Sequence, residues 1–257
     1  MKLKNVADIY PLGPLQEGIL FHAVAEENAG HYHQQLCCTI EGEFDIVAFK
    51  HAWDDVIKRY DVLRTIFIWQ GLEKPLQVVR RTVQPNWVEV DWSSNSQAVH
   101  QDKLQTYLEE DRRKGFRITH APLMRFFLAE KGSGELTFIW SFHHLLLDGW
   151  SIPIIWKDVL DSYDANVNKQ PLPSKEPVQF KQFIEWHQNQ SNSNAEYFWK
   201  EYLKRFSSPS SMDGLPILKL TENPGRCAVQ LSSDETQKLK KIADDHNLTL
   251  NSKGQTV

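Results

Sequence analysis

The segment SFHHLLLDGWS, Ser141–Ser151, places two adjacent histidines and an aspartate inside an otherwise apolar stretch. The residues before it, LTFIW, are typical of a buried strand, and the residues after it predict a helix from about Ile152. Neighbouring residues on a strand point to opposite faces, so His143 and His144 are poorly placed to bind one metal ion. The geometry indicates either two satisfied core histidines or a division of roles, with one imidazole held inside and the other facing a cavity.

Asp148 lies where the predicted strand turns, and two interpretations are open. An aspartate at such a turn is most often a cap for the following helix, and DGWS fits a cap well. A buried Asp148 would instead need a cationic partner. Arg64, in the segment RYDVLRTIF, is the best candidate because it is a cation inside an apolar stretch.

The sequence around this segment alternates between helical and strand patterns. Amphipathic helices are predicted over residues 15–26 and 45–63, the second with Asp45 as candidate N-cap. Strand pairs are predicted around the turns QGLEKP and KGSGE. Strands and helices that mix in this way, with antiparallel hairpins among them, predict an α+β fold.

The proline-rich segment NKQPLPSKEP predicts a domain boundary. It separates a first lobe, residues 1–175, from a further segment, residues 176–257. Within that segment SSDETQKLKKIADDHN predicts a helix with Ser233 as its cap.

Composition excludes several classes of function. The net charge is -4 and the basic residues are scattered, which argues against a nucleic-acid partner. The most apolar window is interrupted by two histidines and an aspartate, and the N-terminus lacks a signal-peptide core, so no membrane role is expected. Three cysteines favour a reducing, cytoplasmic location. The sequence has no glycine motif for nucleotides and no cluster with metal-ligand spacing, so no metal site is predicted.

FHHLLLDGWS resembles the His-His-x-x-x-Asp-Gly signature of the condensation domains of non-ribosomal peptide synthetases. This signature is shared more distantly with chloramphenicol acetyltransferase and the carnitine and choline acyltransferases. Three other segments resemble family motifs in the family's order: YPLGPLQEGILFH (10–22), RYDVLRTIF (59–67) and FKQFIEWHQ (180–188). Tyr60, Asp61, Phe180 and Gln182 depart from those motifs. The opening PLQEGILFH and the LLLDGWS stretch are similar to the subtype that takes a D-configured donor.

The resemblance implies a chloramphenicol acetyltransferase-like lobe, with a mixed, largely antiparallel sheet flanked by helices and the start of a second, similar lobe. The later motifs of the second lobe are missing, so the chain is expected to be a truncated domain. Such a domain forms a peptide bond when a carrier-bound amine attacks a carrier-bound thioester. Antibiotics and other secondary metabolites are the products expected from this family.

The family match assigns the role nearest the chemistry to His144, as a proton acceptor or as the group that orients the amine. It gives structural roles to His143 and to Asp148, with Asp148 paired to Arg64. Gly149 would let the backbone approach the reacting carbonyl without a Cβ in the way.

Two further residues of the motif have expected structural roles. Trp150 is expected to give structural support. Ser151 is expected to be a helix cap rather than a catalyst, because a thioester is already activated and needs no serine nucleophile.

The resemblance also implies the partners. No directly bound cofactor is expected, because phosphopantetheine arms of an upstream donor and a downstream acceptor carrier protein would deliver the substrates. The N-terminus resembles segments that dock an upstream synthetase subunit. Two alternatives stay open: a non-catalytic docking or scaffold fragment, and a stand-alone trimeric acetyltransferase.

Overall fold

The computed structural model describes residues 5–25, 32–132, 134–172, 176–190, 193–206 and 229–251. The chain divides into two compact units, residues 1–194 and 195–257. The elements up to residue 190 are β1 (Val6–Pro11), α1 (Pro14–Ala25), β2 (His33–Glu41), α2 (Ile46–Arg59), β3 (Thr65–Ile68), β4 (Leu76–Arg80), β5 (Asn86–Asp91), α3 (Gln97–Lys114), β6 (Met124–Gly132), β7 (Glu135–His143), α4 (Ser151–Val167) and α5 (Phe180–Gln188). They are followed by α6 (Ser193–Tyr202) and α7 (Ser233–Asp245).

The strands of the first unit form two sheets. The larger sheet has the order β2-β7-β6-β5, in which only β5 and β6 run parallel. The smaller sheet has the order β1-β4-β3 and is antiparallel. These mixed, largely antiparallel sheets with flanking helices confirm the predicted α+β class.

Strand β7 is apolar along its length because both of its faces are covered. Phe138 and Trp140 point to one face, where Trp53 of α2 packs 4.8 Å from Trp140 between ring centroids. Ile139 points to the other face, into a cluster that includes Tyr107 of α3. A strand buried on both faces reads as a continuous hydrophobic run rather than an alternating one. His143 is the last residue of this buried strand, and His144 follows it directly.

Helix α2 shows how local sequence and packing combine. Asp45 accepts a hydrogen bond from the backbone N–H of Ala48 at 2.9 Å, which confirms the predicted N-cap. The predicted helix over 45–63 was too long, because α2 ends at Arg59 and a 3₁₀ turn follows over Asp61–Arg64. The turn brings Arg64 back toward the end of the helix.

The proline-rich segment is not where the chain divides into compact units. Helix α5 belongs to the first unit: Ile184 packs with Tyr10 and Val79, and Lys181 Nζ lies 2.8 Å from Asp8 Oδ2. Residues 173–175 of that segment lie outside the described residues. The assignment of lobes to 1–175 and 176–257 stays a prediction.

In the second unit, the predicted cap of α7 is corrected by one residue. Ser232, not Ser233, is the N-cap: its Oγ accepts from the backbone N–H of Glu235, and the Glu235 carboxylate accepts from the N–H of Ser232. This reciprocal pair satisfies two backbone donors at the start of the helix. In the described parts of the chain, no helix has the length and apolar character needed to cross a bilayer.

Candidate active site

The two motif histidines are fixed through the backbone at the end of β7. His143 pairs in register with His33 of β2. The N–H of His143 donates to the carbonyl of Leu123 at 3.0 Å, and the N–H of His144 donates to the carbonyl of Tyr32 at 2.8 Å. Because β7 ends at His143, the chain leaves the sheet there and His144 begins the motif turn.

The His143 side chain is buried and uncharged. Its Nδ1 accepts a hydrogen bond from the N–H of Leu145 at 3.1 Å, so the ring hydrogen of the neutral form sits on Nε2. Burial, followed by the charges of His33 and His144, lowers the pKa of His143 from 6.5 to about 4. At neutral pH this imidazole can donate from Nε2, but it does not carry a positive charge.

His144 is half-buried and has the opposite tautomer. Its Nδ1 lies 2.6 Å from the carbonyl oxygen of Leu147. A carbonyl oxygen only accepts hydrogen bonds, so Nδ1 must carry the hydrogen. The lone pair of the neutral ring is therefore on Nε2. The pair consists of one buried donor on the last residue of β7 and one partly exposed acceptor in the turn that follows. The expected division of roles between the two imidazoles stays a prediction.

Asp148 is a local stabiliser of α4 and not a buried ion. Its Oδ1 accepts from the Ser151 N–H at 2.8 Å and from the Ser151 hydroxyl at 2.6 Å, and the residue is exposed. The hydrogen bond from the Ser151 side chain is the main reason that the pKa of Asp148 is lowered. Ser151 is the first residue of α4 rather than its cap, which corrects the expected role of Ser151.

The predicted pairing of Arg64 with Asp148 is wrong. The buried Arg64 guanidinium donates instead to the carbonyls of Ile57, Lys58, Arg80 and Arg81 and to the Asp61 carboxylate. Carbonyls in the last turn of a helix lack partners inside the helix. Arg64 satisfies two of these in α2 and joins the helix to the end of β4. These bonds use all of its donor groups.

Gly149 and Trp150 lie on the exposed side of the motif turn. A Cβ at Gly149 would meet no atom within 4 Å among the described residues, so the need for glycine at this position stays a prediction. The Trp150 side chain is 86% exposed, which contradicts its expected role as structural support within the first unit.

Asp111 and Arg125 form a buried ion pair that was not predicted from the sequence. The Asp111 carboxylate binds Arg125 Nε, His33 Nε2 at 2.8 Å, Gln35 Nε2 at 2.7 Å and Ser141 Oγ at 2.6 Å. Burial raises the pKa of Asp111, but the hydrogen bonds from His33, Ser141 and Arg125 outweigh burial and lower it far below the ordinary value. The available signal was Arg125 itself, a cation inside the strand sequence PLMRFFLAE.

The Asp111 network lies next to the motif histidines. Ser141 is two residues before His143 on β7, and His33 is the cross-strand partner of His143. The network therefore connects α3, β2, β6 and β7 at the end of the sheet from which the motif turn starts.

The similarity of this chain to known proteins extends over nearly its whole length. Residues 6–257 match the family model described as the condensation domain. The chain belongs to the condensation domain family. It is 38% identical over 257 residues to one of the linear gramicidin synthase proteins of Brevibacillus parabrevis, covering 96% of this chain and 3% of that protein. It is 33% identical over 260 residues to gramicidin S synthase 2 of Aneurinibacillus migulanus, covering 100% of this chain and 6% of that protein.

Solved condensation domains share the fold. The first condensation domain of the calcium-dependent antibiotic synthetase, solved with a substrate analogue, superposes with a TM-score of 0.73 at 16% identity, covering 95% of this chain and 58% of that chain. The starter condensation domain of rhizomide synthetase gives a TM-score of 0.67 at 21% identity, covering 79% of this chain and 50% of that chain. This condensation segment therefore spans a small part of its curated relatives and about half of the solved domains. The resemblance drawn from the four motifs is confirmed at the level of the family.

A double-mutant cycle tests the corrected roles of Arg64 and Asp148. We expect Arg64→Met to lower the free energy of unfolding by about 3 kcal/mol, because several buried carbonyls lose their donor. Asp148→Ala should cost about 1 kcal/mol, as for the loss of a helix cap. Urea unfolding of the double variant should give the sum of the two effects within about 0.5 kcal/mol. A coupling energy well above this limit would show that Arg64 and Asp148 interact directly.

Asp111→Asn should destabilise the protein by about 3–5 kcal/mol at pH 7, because it leaves the buried Arg125 without its counter-charge. The folded-state pKa of Asp111 is depressed, so its stabilising effect is complete above the unfolded carboxyl pKa and is lost as pH falls below it. The gap between wild type and variant should therefore shrink from pH 5 to about pH 3 in urea unfolding. Asp102→Asn, an exposed change on the same helix, is the control. A gap that stays constant over this range would contradict the assignment.

His143→Asn tests the buried neutral imidazole, because Asn Oδ1 can replace Nδ1 as the acceptor for Leu145. Between about pH 4 and pH 6.5, His143 binds a proton in the unfolded chain but not in the folded protein. The free energy of unfolding therefore rises with pH in this window. Wild type should lose more stability than His143→Asn between pH 7 and about pH 5 in urea unfolding. Exposed His51→Asn should follow the wild-type profile. Identical profiles for wild type and His143→Asn would mean that His143 is protonated normally.

Proposed function

We propose that this condensation segment takes part in peptide bond formation, with His144 as the residue nearest the chemistry. One observation carries the proposal: the hydrogen bond from Nδ1 to the Leu147 carbonyl fixes the ring and leaves the Nε2 lone pair as the acceptor. A fixed acceptor on a partly exposed imidazole suits the removal of a proton from an amine near neutral pH. His143, which the protein keeps neutral, then supplies packing and backbone support.

The proposed reaction joins two carrier-bound groups. The α-amine of the acceptor attacks the thioester carbonyl of the donor, a C–N bond forms, and the C–S bond breaks to release the thiolate of the donor arm. An amine nitrogen that attacks a carbonyl becomes positively charged and must lose a proton. Nε2 of His144 either takes that proton, or orients the amine by accepting its N–H while the departing thiolate takes the proton. No serine nucleophile is needed, and Ser151 remains bound to Asp148.

The proposed partners follow from the family. Phosphopantetheine arms of an upstream donor and a downstream acceptor carrier protein would bring the substrates, with a D-configured donor as the proposed subtype. The N-terminal residues are proposed to dock an upstream synthetase subunit, and the protein is proposed to act in the cytoplasm. Residues 1–175 are proposed as the first lobe of the domain, and residues 176–257 as the start of the second lobe, with α5 packed back against β1.

The test is peptide formation by the segment expressed with the rest of its condensation domain and supplied with loaded donor and acceptor carrier proteins. His144→Ala should lower the rate by about 10²–10⁴, the usual contribution of a positioned acid or base. His144→Gln keeps a polar group but cannot take the proton, so it should also be slow if proton removal limits the rate. Product is measured by mass spectrometry of the acceptor carrier.

The control is His51→Ala, an exposed histidine on α2, which should keep the wild-type rate. Thermal melting of each variant separates lost chemistry from lost folding. Near-normal turnover of a folded His144→Ala protein would overturn the assignment. A wild-type domain without activity on any loaded carrier pair would favour the docking or scaffold alternative.

A further inference from the structure

A buried glutamine of α1 contacts the motif turn. Gln16 lies in the segment YPLGPLQEGILFH, to which the proposed reaction gives no role. The residue is buried at the start of α1, and its Nε2 donates to the carbonyl of Leu145 at 3.1 Å. The first helix of the chain is therefore bonded to the residue that directly follows His144.

The two ends of the Gln16 amide have different partners. The backbone N–H of Gly13 donates to one end at 2.9 Å, so that end is the oxygen. The other end is the NH₂ group, and it faces the Leu145 carbonyl, which only accepts. The bond to Gly13 caps α1, because a side chain at the third helical position can satisfy the N–H of the residue before the helix. Either Gln or Glu can form this cap, but only an amide can also donate to Leu145.

A second buried glutamine holds the Gln16 amide in this orientation. Gln77 of β4 is fully buried, and its Nε2 donates to Gln16 Oε1 at 3.1 Å and to the Pro11 carbonyl at 2.9 Å. The two amides thus join the end of β1, the start of α1 and β4. A buried network whose members are hydrogen-bonded is rigid. The NH₂ group of Gln16 is therefore directed at the motif turn before any substrate is present.

The bond from Gln16 fixes the turn that carries His144. The Leu146 N–H donates to the His143 carbonyl at 3.0 Å and closes a tight turn with His144 inside it. The Leu145 carbonyl belongs to the same peptide group as that N–H, so this peptide group is held at both ends. The N–H of His144 is held next to the start of β2. The backbone around His144 is thus tied to the sheet on one side and to α1 on the other.

We propose that Gln16 is a positioning residue for His144. It acts through the turn and not on the substrates, because its NH₂ group is bonded to the backbone one residue after His144. The effect on the rate rests on the proposed function, whereas the effect on the His144 ring does not. A displacement of about 1 Å in a reacting group can slow a reaction by about 10²-fold. Loss of the bond to Leu145 lets the turn shift by such an amount.

Two variants separate the helix cap from the positioning bond. Gln16→Glu keeps an acceptor for Gly13 and Gln77, but its carboxylate cannot donate to Leu145. Gln16→Met is similar in size and removes both functions. The control is Asp45→Ala, which removes the N-cap of a different helix, α2. Thermal melting of each variant shows whether it is folded at the assay temperature.

The rate is measured with the segment expressed with the rest of its condensation domain and supplied with loaded carrier proteins. Both Gln16 variants should lower kcat by about tenfold to hundredfold and change KM for the acceptor carrier by less than about twofold. Asp45→Ala should keep the wild-type kcat. Gln16→Met is also combined with His144→Ala. A residue that acts through His144 should cost nothing further in that background, whereas a residue that only supports the fold should cost the same factor in both backgrounds.

A measurement on the His144 ring needs no substrate. Nitrogen-15 NMR of the histidine side chains distinguishes the two neutral tautomers in the whole 257-residue chain. The His144 signals are assigned by their loss in His144→Gln. At about pH 8, where imidazoles are ordinarily neutral, wild type and Asp45→Ala should show only the Nδ1–H tautomer. Both Gln16 variants should show a mixture of tautomers, because the shifted turn weakens the bond from Nδ1 to the Leu147 carbonyl.

Three results would each overturn the proposal: folded Gln16 variants with the wild-type kcat, an equal loss in the His144→Ala background, or a single His144 tautomer in both Gln16 variants. Failure of both variants to fold would also overturn it, because Gln16 would then serve the fold alone. Failure of the proposed function gives a different result. His144→Ala would itself turn over at a near-normal rate, and the tautomer ratio would still decide whether Gln16 holds the ring.

Discussion

The site depends on the burial of β7 on both faces. Helices α2 and α4 cover one face of this strand, and α3 covers the other. His143 is its last residue, and His144 begins the turn that follows. Because β2 pairs with β7 along its full length, His143 is held on a rigid element, and the N–H of His144 is held by the Tyr32 carbonyl next to the start of β2. A group on such an element keeps its position better than one on a free loop.

Two arginines are buried among the described residues of the first unit, and each is satisfied in a different way. Arg64 is surrounded mainly by backbone carbonyls at the ends of α2 and β4, so it acts as a donor that joins two elements. Arg125 is paired with the Asp111 carboxylate, which also binds His33 and Ser141. Burying a charge is costly unless it is paired and hydrogen-bonded. Both arrangements meet this condition, and the second forms beside the motif histidines.

The opposite tautomers of the two histidines follow from local backbone geometry. The same short turn supplies both hydrogen-bond partners. Its Leu145 N–H donates to Nδ1 of His143, and its Leu147 carbonyl accepts from Nδ1 of His144. The turn thus prepares one ring as an acceptor at Nε2 and the other as a neutral donor. Burial then keeps His143 neutral, so the two imidazoles are not interchangeable.

The sequence by itself determined the family, the fold class and the cap at Asp45, because each depends on residues that are close together in the chain. The motif order, the cap at Asp45 and the possible cap role of Asp148 required only short-range patterns. Only the tertiary structure decided which charges meet. Asp111 contacts His33, Arg125 and Ser141, which come from three different strands. Arg64 binds backbone carbonyls, which any residue could supply. Every residue type has the same backbone carbonyl, so a carbonyl partner cannot be identified from the sequence. The sequence showed only that Arg64 needed a partner.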